Sequence, residues 1–163
     1  MRANLRLYHT MIGQICKWLP DERITRVRNL ALLLTGLYLG RKVHLSLIAE
    51  EWHLPGKAPS LVNRLRRFLD NPRVSVGDDY RPVAESLVGA FRGVPIRLII
   101  DTTTLGFNAR LLMVSIGYRK RSLPLAWSVH RGKIGWVAVK KHIALLLSLI
   151  HISEPTRPRR QSR

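Results

Sequence analysis

The sequence predicts an α+β fold in which a helical region comes first and a β-β-β-α unit follows. Three observations carry this. Apolar residues over the first ninety positions recur at helical spacing. The period then changes at the linker Arg92-Gly93-Val94-Pro95. Beyond it come three β-branched-rich runs with short connections, the pattern of an antiparallel meander. At 163 residues and 46% hydrophobic content the chain can bury a core.

The elements follow in order. NLRLYHTMIGQICKWL sets Leu5, Tyr8, Ile12, Ile15 and Leu19 on one helical stripe. Pro20 and Asp21 read as a boundary and an N-cap for a longer helix, ERITRVRNLALLLTGLYLG, ending at Gly40. Its Arg23, Arg26 and Arg28 lie where the helix dipole disfavours cations, which points to a partner. A short helix over Ser46–Trp52, a turn at Leu54-Pro55-Gly56 and a helix over Ser60–Leu69 come next. Ser60 reads as its cap and Asn71-Pro72 as its stop. Leu61, Leu65, Phe68 and Leu69 are expected to face the core. Asn63, Arg64, Arg66 and Arg67 are expected to project outward, with Lys57 just ahead. A short helix, a turn and a basic second helix are the ingredients of a helix-turn-helix-like DNA reader. The helix DDYRPVAESLVGAF closes the region 1–92. From Ile96, IRLII reads as a strand covered on both faces. ARLLMVSIGY and LPLAWSVH follow, joined by RKRS, and GWVAVKKHIALLL opens a last helix. Tyr118, Trp127 and Trp136 are expected in the core, and His130 and His142 are expected to be ordinary hydrogen-bonding histidines.

A formal charge of +18, from 28 basic and 10 acidic residues, favours a polyanionic partner. Cys16, the one cysteine, excludes an intrachain disulfide and a cysteine-based zinc site. It sits at an apolar helical position, as a buried thiol does. No apolar stretch is long enough to span a bilayer, so no membrane role is expected.

The end of the chain has a separate reading. LSLIHISEPTR at 147–157 resembles the in-frame translation of a transposon-end adapter used to build sequencing libraries. Residues 147–163 are therefore expected to be a non-native tail, outside fold reasoning. Setting them aside removes four arginines and one glutamate and leaves the chain strongly basic. The natural protein is then expected to continue past Leu146, with residues 96–146 an incomplete domain. Its sheet would have an open edge and uncovered apolar faces.

One carboxylate stands apart. Asp101, in RLIIDTTTLG, is the only acidic residue between Ser86 and Ser153. An aspartate at a strand end can accept hydrogen bonds from following threonines, or it can hold a hard divalent cation for phosphoryl transfer. Residue type alone favours the first. Several stretches, NLALLLTGLYLGRKVHLSLIAEEW, NRLRRFLDNPRV, LIIDTTTL and SIGYRKRSLPLAWSV, resemble the DDE transposases of bacterial insertion sequences, with LIIDTTTL followed by LPLAW the most specific part.

The resemblance implies a ribonuclease H-like catalytic core beginning at residue 96. It implies Asp101 as first acid of a Mg²⁺- or Mn²⁺-binding triad, and cleavage and joining of double-stranded DNA at transposon ends. A homodimer in the bacterial cytosol or nucleoid is expected for the full-length protein. The second aspartate and the glutamate have no counterpart in this chain, and Glu154 lies in the adapter-like tail. The fragment is therefore expected to be inactive. Arg119, Lys120 and Arg121 at a hairpin tip, with Arg131 and Lys133 after the third strand, are expected to meet DNA phosphates. A non-enzymatic helix-turn-helix regulator and a basic RNA-binding protein stay open as alternatives.

Overall fold

The computed structural model describes residues 2–52, 58–106, 108–132 and 137–153. The chain divides into two compact units, residues 1–79 and 80–163. Among the described residues it is α+β, with six helices and one three-stranded antiparallel sheet.

The first unit is helical. α1 (Arg2–Trp18) packs on α2 (Ile24–Gly40) through Ile15, Val27 and Ala31, with Tyr8, Met11, Ile12 and Cys16 around them. Cys16 is half-buried there, and Leu5, on the same stripe, is exposed. A second cluster joins Leu32 of α2 to Ile48 of α3 (Leu45–Glu50), Trp52, and Leu65 of α4 (Ala58–Leu69). The two helices α2 and α3 approach closely at Gly36. A Cβ there would lie 2.5 Å from Ile48 Cγ2 and 3.2 Å from the Ile48 carbonyl. α2 ends with Arg41 in the left-handed region, its N–H donating to the Leu37 carbonyl at 2.9 Å.

Several caps differ from expectation. α2 begins at Ile24 with Arg23 at the N-cap, so Asp21 does not cap it. Glu22 takes part of that role by accepting the Arg23 N–H at 2.8 Å. α3 runs from Leu45 rather than Ser46 and stops at Glu50. α4 begins at Ala58, which puts Ser60 inside the first turn, and Pro59 is tolerated there because first-turn N–H groups have no intrahelical partner. Leu69, the last residue of α4, is exposed, while Leu65 and Phe68 carry the burial. The turn at 54–56 lies outside the described residues.

α5 (Val76–Ala90) starts two residues earlier than predicted because Ser75 Oγ accepts the Asp78 N–H at 3.3 Å, an N-cap. Asp78 and Asp79 in its first turn suit the helix dipole. The unit boundary at 79/80 falls inside this helix, well before the linker at 92–95, because Tyr80, Ala84, Leu87 and Phe91 pack with the sheet.

The second unit is built on β1 (Leu98–Gly106), β2 (Ala109–Tyr118) and β3 (Arg121–Arg131), in spatial order β1-β2-β3. α6 (Val139–Ser153) lays Leu145, Leu146 and Leu149 on Leu112, Val114 and Ala126. α5 residues pack against Ile116, Leu123 and Leu125. The Tyr80 hydroxyl donates to the Pro124 carbonyl at 2.7 Å, and its ring meets Trp127 edge-on at 4.8 Å. α6 continues without a break across 146/147, and Leu149 belongs to both clusters. The apolar spacing of that segment is enough to extend the helix, whatever its origin.

IRLII is not covered on both faces. β1 is an edge strand exposed along its whole length, with Leu98, Ile99 and Ile100 between 40% and 48% exposed. Leu98 and Ile100 share a face with Ile116 and Val114, yet the helices cover β2 and β3 and stop short of β1. The continuous apolar pattern reflects a strand that could be covered, and the described elements do not cover it.

Two outcomes follow from this packing. Gly36→Ala forces apart a stiff β-branched side chain and a backbone carbonyl, and is expected to cost about 1–3 kcal/mol in a denaturant melt. Ile100→Lys places a charge on the exposed edge and is expected to reduce self-association at high protein concentration, read by light scattering.

Candidate nucleic-acid interface

α4 is the most basic element of the first unit, and the burial of Leu65 and Phe68 fixes its rotation. At 100° per residue, the exposed residues then spread over a broad outward arc, with Arg66 near one edge of it and Arg64 at the other. Asn63 Oδ1 accepts from Arg66 at 3.3 Å. Arg67, three residues from Arg64, lies toward the Arg64 edge. That edge faces the start of α2: Arg64 Nε donates to Asn29 Oδ1 at 2.7 Å. The two elements and the loop after α4 enclose a groove lined by Arg23, Asn29, Arg64, Arg67, Asn71 and Arg73, with Thr25, Arg26, Asp21, Glu22 and Phe68 completing it.

Carboxylates neutralise little of this. Arg26 bonds to Glu22 and, at 2.8 Å, to Asp79. Burial holds the Asp79 carboxyl above its ordinary range even against the attraction of Arg26. The only other ion pair among the described residues joins Arg81 to Glu85 at 2.9 Å. Arg23, Arg64, Arg66, Arg67 and Arg73 are exposed, with no carboxylate within ion-pair distance among the described residues.

In the second unit Asp101 sits in the middle of β1, opposite Met113, which in turn pairs with Trp127. The expectation of a strand-end carboxylate on a buried central strand is thus corrected. β1 runs on through the threonines to Gly106, and it is an edge. Asp101 Oδ1 accepts the Thr102 N–H at 2.8 Å, and Oδ2 accepts the Thr103 hydroxyl at 3.3 Å. No group of three or more His, Cys, Asp or Glu among the described residues could hold a metal ion. One carboxylate supplies at most two oxygens, so the described residues do not by themselves make a Mg²⁺ or Mn²⁺ site. His130 Nε2 is 2.8 Å from Ser128 Oγ, and His142 Nδ1 is 3.3 Å from the Ala138 carbonyl. Burial, then Lys141 and His142, hold His130 below the usual imidazole range.

The β2–β3 turn is formed by Arg119 and Lys120, both with positive φ (47° and 52°). Such a two-residue hairpin turn favours asparagine and glycine, so two long cations there are strained. Arg119 lies 5.3 Å over the Tyr118 ring, and that ring meets Phe91 edge-on at 5.4 Å. Tyr118, expected in the core, is instead 41% exposed because it serves as the base of this tip. Trp127 is half-buried. Arg121 pairs with Tyr118 at the mouth of the turn, and Arg131 is exposed at the end of β3. Lys57, Lys133 and Trp136 lie outside the described residues.

The groove arginines outside α4 and their two asparagines were not singled out together by the sequence. Asn29 and Arg64 stand 35 positions apart, and nothing local links them. The double substitution Arg119→Asn with Lys120→Gly relieves the turn. It is expected to stabilise the hairpin by about 1–2 kcal/mol, measured by thermal melting.

No helix among the described residues is long and apolar enough to cross a membrane. No family model, curated protein or solved structure matches this chain.

Proposed function

We propose that this chain binds double-stranded DNA, and that it forms part of a DDE-type insertion-sequence transposase in which Asp101 supplies the first of three carboxylates. The observation that carries the first part is the set of exposed arginines on and around α4 with no carboxylate partner among the described residues. Arginine forks of this kind match phosphate oxygens, and a polyanion is what a charge of +18 recruits.

The second part rests on the sequence resemblance and on the order of elements. Three antiparallel strands and a helix follow one another, with Asp101 on the first strand. That order suits the opening of a ribonuclease H-like core. In such a transposase, Asp101 would supply oxygen ligation to Mg²⁺ or Mn²⁺, which would stabilise attacking and leaving oxygens in strand transfer. The hydrogen bonds from Thr102 and Thr103 support a second reading, a DNA-binding regulator in which Asp101 only orders its own strand.

Anisotropy with a labelled mixed-sequence duplex and a structured RNA at matched salt tests the binding. The duplex is expected to bind more tightly, with affinity falling steeply as salt rises; a clear preference for RNA overturns the reading. Asp101→Ala is expected to leave this binding unchanged. With Mg²⁺ or Mn²⁺ added, the 163-residue chain is expected not to cut the duplex, and cutting that is lost in Asp101→Ala would overturn that expectation.

A further inference from the structure

The DNA reading treats the α4 cations as one set, but the structure separates them. Arg64 and Arg67 line the groove with Arg23 and Arg73, whereas Arg66 is turned away and bonded to Asn63. We propose that the groove between the start of α2 and the end of α4 is the seat of a phosphodiester of one DNA strand, held by Arg23, Arg64, Arg67 and Arg73. The inference rests on the DNA reading and names the residues within it that hold the strand.

Three features make this a prepared site. One of the four guanidinium groups is held before any ligand arrives, and the main chain that carries a second is pinned. Asn29 holds the Arg64 Nε–H at 2.7 Å, and the terminal nitrogens of that guanidinium make no bond to any described residue. Asn71 Oδ1 accepts the Arg73 N–H at 3.0 Å, which pins the loop that carries Arg73. Groups held in place lose less freedom on binding than free side chains do.

The local charge also favours an anion. Of the two carboxylates on the groove, Glu22 is engaged by Arg26 and by the Arg23 N–H, which leaves Asp21 against four arginines. The first-turn N–H groups of α2 add potential of the same sign and oppose the negative end of α4 on the other side of the groove. Phe68, buried beneath, gives the groove a rigid floor. Four guanidinium groups around one groove repel each other in the absence of a ligand. A phosphate removes that repulsion while accepting paired hydrogen bonds.

The test uses the whole chain, a labelled duplex and a potassium chloride series. Arg23→Ala, Arg67→Ala and Arg73→Ala are each expected to weaken binding several-fold, equally for duplexes of different sequence. Each is expected to lower the slope of log affinity against log salt by about one. Asn29→Ala is expected to act in the same direction through Arg64, and Arg66→Ala to weaken binding less than any of these. Circular dichroism melts check that each variant is folded.

A second arm titrates inorganic phosphate and follows the arginine Nε–H resonances, where Arg64 and Arg67 are expected to move and Arg66 to stay still. If duplex binding occurs but Arg66→Ala weakens it as much as Arg67→Ala, or the groove variants leave the slope unchanged, the groove assignment is overturned. If phosphate moves Arg64 and Arg67 but the chain binds no duplex, the groove stands as an anion site and the DNA reading fails. If phosphate moves neither arginine and no duplex binds, both fail.

Discussion

The close approach of α2 and α3 at Gly36 sets the frame of the first unit. Because no side chain stands between them, Ile48 and Trp52 can seat on Leu32, and Leu65 of α4 fills the space that remains. Leu65 is fully buried and Phe68 nearly so, and those two residues settle the rotation of α4 about its own axis. Everything charged on that helix is then distributed by geometry. Two arginines turn toward the start of α2, and one turns away with Asn63. The candidate interface is thus a consequence of how a small core packs.

Scarcity of carboxylates is the second constraint. With 10 acidic residues against 28 basic ones, the fold cannot neutralise its own surface. Arg26 uses two of the carboxylates, and its partner Asp79 ionises at some cost because it is half-buried. Arg64, Arg66 and Arg67 of α4 and Arg119 and Lys120 at the hairpin tip are exposed. At the tip the chain also accepts unfavourable backbone geometry at Arg119 and Lys120.

The sheet of the second unit is covered over β2 and β3 and uncovered over β1. This asymmetry exposes Leu98, Ile99 and Ile100, and it leaves Asp101 accessible on the opposite face from Ile100. The carboxylate is ordered by its own neighbours, Thr102 and Thr103, so its side chain is held without help from another element. A carboxylate held in this way is as compatible with an ordered edge strand as with one ligand of a larger site.

Much of this was legible in the sequence. Periodicity located the six helices and three strands, because apolar spacing reports which face is buried, although β1 runs on to Gly106 and α6 to Ser153, past their expected ends. The isolation of Asp101 and the clustering of arginines in NRLRRFL are facts of composition that no fold could alter. What the sequence left open depends on distance in space. Covering of β1 could not be read from IRLII, because an apolar strand shows what can be buried and says nothing of what lies over it. The caps moved by a residue or two because Glu22 accepts the Arg23 N–H ahead of α2 and Ser75 accepts the Asp78 N–H at the start of α5. The division of the α4 cations needed Leu65 and Phe68 to be seated, and the groove needed Asn29 and Arg64 to meet across 35 residues. The sequence by itself determined the element order, the excess of positive charge and the solitary carboxylate. Only tertiary packing decided which arginines converge, since convergence is set by the rotation of helices against a shared core.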